Sequence, residues 1–291
     1  MSTVSSVSTM KESALKALIK RQPLLSMYII LFVIGWSGLI LQMLISQGSL
    51  TVPSAIAFVV EVVTGWAPGI AAVLITTVIA GRVGVRDLLR RFLIWRVGLQ
   101  WYVFALFLIA AIILGGIGLH VLFGGAMPVI PAASSPLVNT AIVLVVFILL
   151  GVLLNTEEIA WRGFALPRLQ ARYGVLVAGL LLVIPEVGLH IPLFFDKTNP
   201  FFQTVGIYWF SAFSVAMVFV FIFVFNKTKG SLLIVTLMHA SQNAWANLLS
   251  DDHMARPFQF SVALVWMIAL ALIFFTKGQL GYKGEAIGKS E

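Results

Sequence analysis

Residues 137–160 read LVNTAIVLVVFILLGVLLNTEEIA, a largely apolar run with two adjacent glutamates near its end. A helix needs about 20 residues to cross the hydrocarbon core of a bilayer, so this segment is long enough to span it. Seven other runs of similar length accompany it, which predicts eight spans at 26–46, 58–81, 101–122, 137–160, 174–195, 203–225, 231–249 and 258–275. The sequence therefore predicts an all-α fold, a polytopic membrane helix bundle of about eight transmembrane helices.

The composition agrees with a membrane protein and excludes several other classes. Hydrophobic residues make up 60% of the 291-residue chain and charged residues only 10%, and the mean hydropathy is +1.04. Soluble globular domains, disordered chains and coiled coils are more polar than this. The chain has no cysteine, which excludes a disulfide framework, a cysteine nucleophile and a cysteine-ligated zinc or iron–sulfur site.

Basic residues outnumber acidic ones by 19 to 11, and their distribution predicts the orientation. With the N-terminus in the cytoplasm, the eight spans put 17 of the 19 basic residues on the cytoplasmic side and leave Lys197 and Arg256 outside. This matches the positive-inside rule, so we expect a multi-pass protein of the cell membrane with both termini cytoplasmic. The partner that explains the basic excess is the lipid bilayer, and no nucleic acid is expected.

The sequence predicts one integral membrane domain over 1–291. Residues 1–25 are expected to form a cytoplasmic leader, 26–275 the bundle with a catalytic core at 150–250, and 276–291 a cytoplasmic tail. The cytoplasmic stretch 82–100 carries apolar residues at i, i+3, i+4, i+7 and i+8, beginning at Val85, with charged residues on the other face. That pattern predicts an amphipathic helix lying in the lipid headgroups.

Charged side chains are costly inside a bilayer and usually mark function. Three predicted spans carry polar residues four positions apart, which share one face of a helix: Glu158 with Arg162, Glu186 with His190, and His239 with Asn243. Glu157 is turned away from the Glu158–Arg162 pair, so its carboxylate is free to react. We expect the three polar faces to converge on one hydrated chamber that opens toward the cytosol.

A carboxylate, two imidazoles and an amide in such a chamber suit hydrolysis of an acyl bond. Glu157 and His190 could activate a water molecule, while His239 and Asn243 could donate hydrogen bonds to the oxyanion. Alternatively, Glu157, His190 and His239 match the ligand set of a catalytic zinc site, so a divalent metal such as zinc stays open while no other cofactor is predicted. The sequence contains neither Gly-x-Ser-x-Gly nor His-Glu-x-x-His, which disfavours serine hydrolases and soluble-type zinc proteases.

The motif Glu157-Glu158-x-x-x-Arg162, the later His190 and the motif His239-x-x-x-Asn243 together resemble the CPBP intramembrane proteases. That family includes CAAX prenyl endopeptidases and bacteriocin-processing or immunity proteins. The resemblance also fits the stretch Gly65-Trp66-Ala67-Pro68-Gly69 in the second span. It implies an intramembrane endopeptidase, glutamate- or metal-dependent, that cleaves a peptide or protein substrate near the cytoplasmic side of the membrane. The substrate could itself be membrane-tethered.

Within the resemblance, Glu157 and His190 correspond to the water-activating pair, His239 and Asn243 to the oxyanion site, and Glu158 and Arg162 to supporting residues. Glu186 departs from the family, whose members usually carry an aromatic residue four positions before this histidine. A second carboxylate here could repel the charge of the catalytic one. It could instead orient the His190 ring, as carboxylates behind metal-ligating histidines do.

The sequence leaves two other functional classes open. A non-catalytic binding or immunity-type protein could use the same scaffold, and the unusual Glu186 is the reason to consider it. A proton-coupled transporter also uses intramembrane glutamate and histidine, but it would be expected to show inverted repeats, which the sequence lacks.

Overall fold

The computed structural model describes residues 14–250 and 254–284. These residues form helices and no strand, which confirms the all-α prediction. The α-helices are α1 (Ala14–Arg21), α2 (Pro23–Ser46), α3 (Ser54–Leu89), α4 (Leu99–Leu122), α5 (Leu137–Leu154), α6 (Leu166–Tyr173), α7 (Val175–His190), α8 (Pro200–Lys227), α9 (Leu232–Leu249) and α10 (Ala255–Phe275). A π-helix occupies Ile159–Ala165, and short 3₁₀ helices occupy Arg90–Leu93, Pro131–Ser134 and Ile191–Phe195.

Seven helices in the described residues are long and apolar enough to cross a membrane, which confirms a polytopic bundle. They are α2, α3, α4, α5, α7, α8 and α10, with α3 and α7 extended by the 3₁₀ helices that follow them. The predicted span at 231–249 forms α9 but does not reach the hydropathy of the others, because it carries His239, Asn243 and Asn247. α9 packs against α4 and α5, so its polar residues face protein as well as the cavity described below.

The predicted span 137–160 is wrong at its end, because α5 stops at Leu154 and Asn155 adopts an extended conformation. The chain turns there because Thr156 is bound to α3. Its backbone N–H and its hydroxyl both donate to the Gly65 carbonyl, at 3.2 and 3.0 Å, and its Oγ1 accepts from the Gly69 N–H at 2.9 Å. Glu157 and Glu158 therefore lie just before the π-helix rather than on α5.

The segment predicted as an amphipathic helix begins at a kink in α3. Gly81 has φ +62°, a left-handed conformation that glycine adopts readily, and the helix resumes after it. The chain is then helical to Leu93 and leaves helical geometry at Ile94, so the helix is shorter than 82–100. Its position in the lipid headgroups remains a prediction.

Short connections between successive helices place their ends at two faces of the bundle. One face carries 90–98, 166–174 and 227–231, and we call it the basic face because of its many cationic side chains: Arg90, Arg91, Arg96, Arg168, Arg172, Lys227 and Lys229. The other, the opposite face, carries 47–53, 123–136 and 196–199, with Lys197 as the basic residue among them. The fold thus preserves the charge asymmetry from which the orientation was predicted.

Candidate active site

The Glu158 carboxylate lies at the centre of a buried cluster near the start of the π-helix. Its Oε1 is 3.1 Å from Nη1 of Arg162, so the ion pair predicted from the i,i+4 spacing is present. The same oxygen accepts a hydrogen bond of 2.8 Å from Nδ1 of His239 on α9. Only 1% of the Glu158 and Arg162 surfaces is exposed. Glu158 therefore ties the π-helix to α9 and fixes the orientation of the His239 ring.

Glu157 points away from that ion pair, as its position along the chain predicts. Its Oε1 lies 4.0 Å from Nε2 of His239, and its Oε2 accepts a hydrogen bond of 2.9 Å from the indole of Trp161. Asn155 Nδ2 lies 3.3 Å from both Glu157 Oε1 and His239 Nε2. The amide of Asn155 is oriented by its own Oδ1, which accepts from the Glu157 N–H at 2.9 Å.

Sequence reasoning missed Asn155 and Trp161 as members of this site. Trp161 stands four residues after Glu157, so the spacing rule that predicted the Glu158–Arg162 pair could have found it. Asn155 was hidden by the assumption that α5 continued through it. The Asn155 side chain can accept from the N–H of Glu157, two residues later, because the helix has already ended.

The Glu186 carboxylate does not hold the His190 ring, contrary to one of the two roles considered for it. Its Oε1 lies 2.9 Å from Nη1 of Arg162, so Arg162 is shared between two carboxylates. His190 Nδ1 instead donates a hydrogen bond of 2.8 Å to the backbone carbonyl of Glu186. A neutral His190 is thereby fixed with its proton on Nδ1, which leaves Nε2 as an acceptor.

One cavity of about 610 Å³ has all seven predicted site residues on its wall: Glu157, Glu158, Arg162, Glu186, His190, His239 and Asn243. A second group of lining residues forms what we call the aromatic wall: Phe201, Phe202, Phe210, Phe213 and Phe258. His190 contacts this wall, with its ring centroid 5.1 Å from that of Phe210. The cavity therefore combines a charged base with an apolar side.

The exposed part of the cavity lining lies toward the opposite face and not toward the basic one. Which of the two faces is cytoplasmic stays a prediction, and so does the expected opening to the cytosol. Toward the basic face it is bounded by side chains that are at most 4% exposed, Arg162, Met217 and Phe221. At its other end it is lined by Thr198, Pro200 and Asn247, all of which are exposed. His190 lies toward this mouth because α7 ends there.

The mouth is held in place by Asp196, which joins the α7–α8 connection to the end of α2. Burial alone would raise the pKa of the Asp196 carboxyl, but hydrogen bonds outweigh burial and keep that pKa below its ordinary value. The donors are the hydroxyl and N–H of Thr198, at 2.7 and 2.9 Å, with weaker contacts of 3.5 Å from Ser46 and Gln47. Asp196 is therefore ionised at neutral pH and fixes this rim of the cavity.

The three ligands considered for zinc, Glu157, His190 and His239, do not form a metal-binding group. Across 14–250 and 254–284, no set of three histidine, aspartate or glutamate side chains is arranged to hold one ion. The residues present therefore do not fit a preformed three-ligand zinc site.

Comparison with known proteins shows that part of the chain is similar to a described protease family. Residues 136–245 match the family described as "Type II CAAX prenyl endopeptidase Rce1-like". The match covers 110 of the 291 residues, so it shows what this part of the chain is similar to. The match supports the resemblance inferred from the motifs, and the matched segment includes all seven predicted site residues as well as Asn155 and Trp161.

A protein of Methanococcus maripaludis named "CAAX prenyl protease 2" is similar to this chain. The two are 27% identical over 176 residues, which cover 58% of this chain and 64% of that protein. The match thus spans less than two thirds of the relative's length.

Proposed function

We propose that this protein is an intramembrane endopeptidase in which Glu157 acts as the general base. The observation that carries this proposal is the approach of Glu157 Oε1 to within 4.0 Å of His239 Nε2 at the base of one cavity. Two side chains that act on the same reactant must both lie within hydrogen-bonding reach of it. Atoms 4.0 Å apart can both contact one water molecule. The Rce1-like segment supports the same chemistry, because it spans this cluster.

In the proposed reaction, Glu157 takes a proton from a water molecule while the water oxygen attacks the carbonyl carbon of the scissile peptide bond. The unprotonated Nε2 of His190 is the second hydrogen-bond acceptor for this water molecule. When the tetrahedral intermediate collapses, the C–N bond breaks and the proton held by Glu157 passes to the leaving nitrogen. The products are a carboxylic acid and an amine, so atoms and charge balance without a further reactant.

The oxyanion is stabilised by donors from α9. The Asn243 amide lines the cavity one helical turn after His239 and makes no side-chain hydrogen bond to the described residues, so its N–H groups are available to a substrate. His239 Nε2 can donate when the ring is doubly protonated. The Glu158 carboxylate, 2.8 Å from Nδ1, would stabilise that imidazolium.

The substrate and the orientation are part of the same proposal. By the positive-inside rule the basic face is cytoplasmic, and both termini with it, in the cell membrane. His239 is the eighth residue of α9 counted from this face, or about 12 Å deep at helical rise. The reaction centre then lies in the cytoplasmic half of the membrane, and a peptide, which could be membrane-tethered, reaches it through the mouth at the opposite face.

The test is hydrolysis of fluorogenic peptides by the purified chain in liposomes. One peptide ends in a cysteine, two aliphatic residues and a variable residue, and is used both with and without a prenyl group on the cysteine. We expect E157Q to lose cleavage entirely. The matched control E61Q, the same change at an exposed position of α3 away from the cavity, should keep the wild-type rate. Cleavage by E157Q at that rate would contradict the proposal.

A further inference from the structure

α9 presents a polar strip on the cavity wall that the proposed reaction uses only at one end. Beyond His239 and Asn243, the strip continues with Gln242, Asn247 and Ser250, all of which line the same cavity. These side chains recur three and four residues apart, so they share one face of the helix. The strip runs from the charged base to the mouth at the opposite face.

Gln242 has an unsatisfied carboxamide on this strip. Its Oε1 is buried without a hydrogen-bond partner, and its Nε2 makes no hydrogen bond to the described residues. Three other buried polar atoms without such a partner line the cavity, but they belong to Glu158, Arg162 and Glu186, which are held in ion pairs. An unpaired buried acceptor is costly in a folded protein, and a bound molecule that donates to it removes the cost.

The chemistry of the strip fits a peptide backbone. A carboxamide offers an acceptor and two donors, which complement the N–H and C=O of a peptide unit. Asn247 already donates to the Asn243 carbonyl at 2.8 Å, which orients its side chain and leaves its Oδ1 available. Gln242 and Asn247 are five positions apart, a rise of about 7.5 Å along α9, which compares with the roughly 6.6 Å repeat of every second residue in an extended chain.

The opposite side of the cavity complements this strip. The aromatic wall supplies an apolar surface on α8 and α10, with Phe202 and Phe210 in ring contact at 5.3 Å. An extended peptide places successive side chains on alternate sides. One row of apolar side chains could therefore lie against the aromatic wall while backbone groups face α9.

We propose that Gln242 and Asn247 bind the backbone of an extended peptide with apolar side chains that runs from the reaction centre to the mouth. This inference rests on the proposed function, since it names where the substrate of that site lies. Gln242 is the principal residue, and Asn247 continues the contact five residues nearer the mouth.

The test measures binding rather than turnover. A fluorescein-labelled octapeptide of alternating leucine and serine is titrated onto the full chain carrying E157Q in lipid nanodiscs. Adding Q242M, which keeps the length of the side chain and removes its hydrogen-bonding groups, should raise the Kd about tenfold, the size of one lost hydrogen bond. The matched control is T236V, which also removes an unpartnered buried polar group from α9 but lies off the cavity.

A second measurement does not depend on the stability of any variant at Gln242. Esters of the octapeptide are made in which one backbone N–H at a time is replaced by oxygen. One of them should bind about tenfold more weakly to E157Q and lose no further affinity when Q242M is added. The inference is overturned if no ester binds more weakly, if Q242M binds as T236V does, or if the octapeptide does not bind.

The outcomes separate this inference from the proposed function. If the wild type hydrolyses no peptide but the octapeptide binds in a way that depends on Gln242, the inference is retained and the proposed hydrolase activity is refuted. Cleavage that depends on Glu157 but is indifferent to Q242M and to every ester would refute the inference alone.

Discussion

At the residue scale, the site depends on how two adjacent glutamates are kept in different environments. Glu158 is buried against Arg162 and His239, whereas Glu157 is held by Asn155 and Trp161 and faces the cavity. The indole bond fixes one carboxylate oxygen, which leaves the other directed at His239. Trp161 therefore positions the Glu157 carboxylate.

We expect W161F to lower kcat about tenfold or more while KM changes little. The substitution keeps an aromatic ring and removes the N–H bond to Glu157, and a hydrogen bond to a charged group is worth about 1.5–3 kcal/mol. Steady-state peptide cleavage measures both constants. W266F provides the control, because it removes an indole bond to the Ala212 carbonyl on α8. Equal effects of the two changes would show that Trp161 has only a structural role.

Arg162 is expected to control stability. It is the shared partner of Glu158 and Glu186, so R162M leaves two carboxylates without their cation and should destabilise the fold by about 3–5 kcal/mol. Thermal unfolding in detergent provides the measurement. R90M serves for comparison, since it removes a contact of 3.8 Å to Asp87 that is more than half exposed and is worth at most about 1 kcal/mol. Similar melting temperatures for the two variants would contradict this account.

At the element scale, the decisive feature is the break between α5 and the π-helix. The i,i+4 spacings predicted the Glu158–Arg162 pair because that rule is local. The end of α5 could not be predicted in the same way, because the hydrogen bonds of Thr156 with the Gly65 carbonyl and the Gly69 N–H join positions about ninety residues apart. The contact of Glu186 with Arg162 was missed for the same reason, since it joins two different helices.

The Gly69–Thr156 contact predicts a specific sensitivity to alanine. A Cβ at residue 69 would lie 2.7 Å from both Cβ and Oγ1 of Thr156, too close for either backbone to keep its place. We expect G69A to lower the melting temperature and to reduce cleavage by displacing Glu157. In G118A the new Cβ meets no atom within 4 Å, so stability should be unchanged or slightly higher. Wild-type melting and cleavage in G69A would refute the link.

At the scale of the whole molecule, hydropathy and charge distribution were enough to predict a polytopic helical bundle with one basic face. They could not predict where the cavity opens. That depends on how α7, α8 and α9 pack around His190 and on the aromatic wall, which is apolar like any other part of a span. The cavity mouth at the opposite face is therefore a result of packing.

The orientation can be tested with single cysteines, because the natural chain has none. With the basic face in the cytoplasm, T198C at the mouth should react with a membrane-impermeant maleimide in intact cells. K229C, between α8 and α9 at the basic face, should react only after permeabilisation. The reverse pattern would place the mouth in the cytoplasm and refute the positive-inside assignment.

The claim that Glu157 and His239 act together on one substrate is tested most directly by a double-mutant cycle. Single-turnover cleavage of the same peptide is measured for wild type, E157Q, H239A and the double variant. If the two side chains form one catalytic unit, the double variant should be about as slow as the slower single variant. Two losses that multiply would show that these residues act independently, and the account of a shared reaction centre would be wrong.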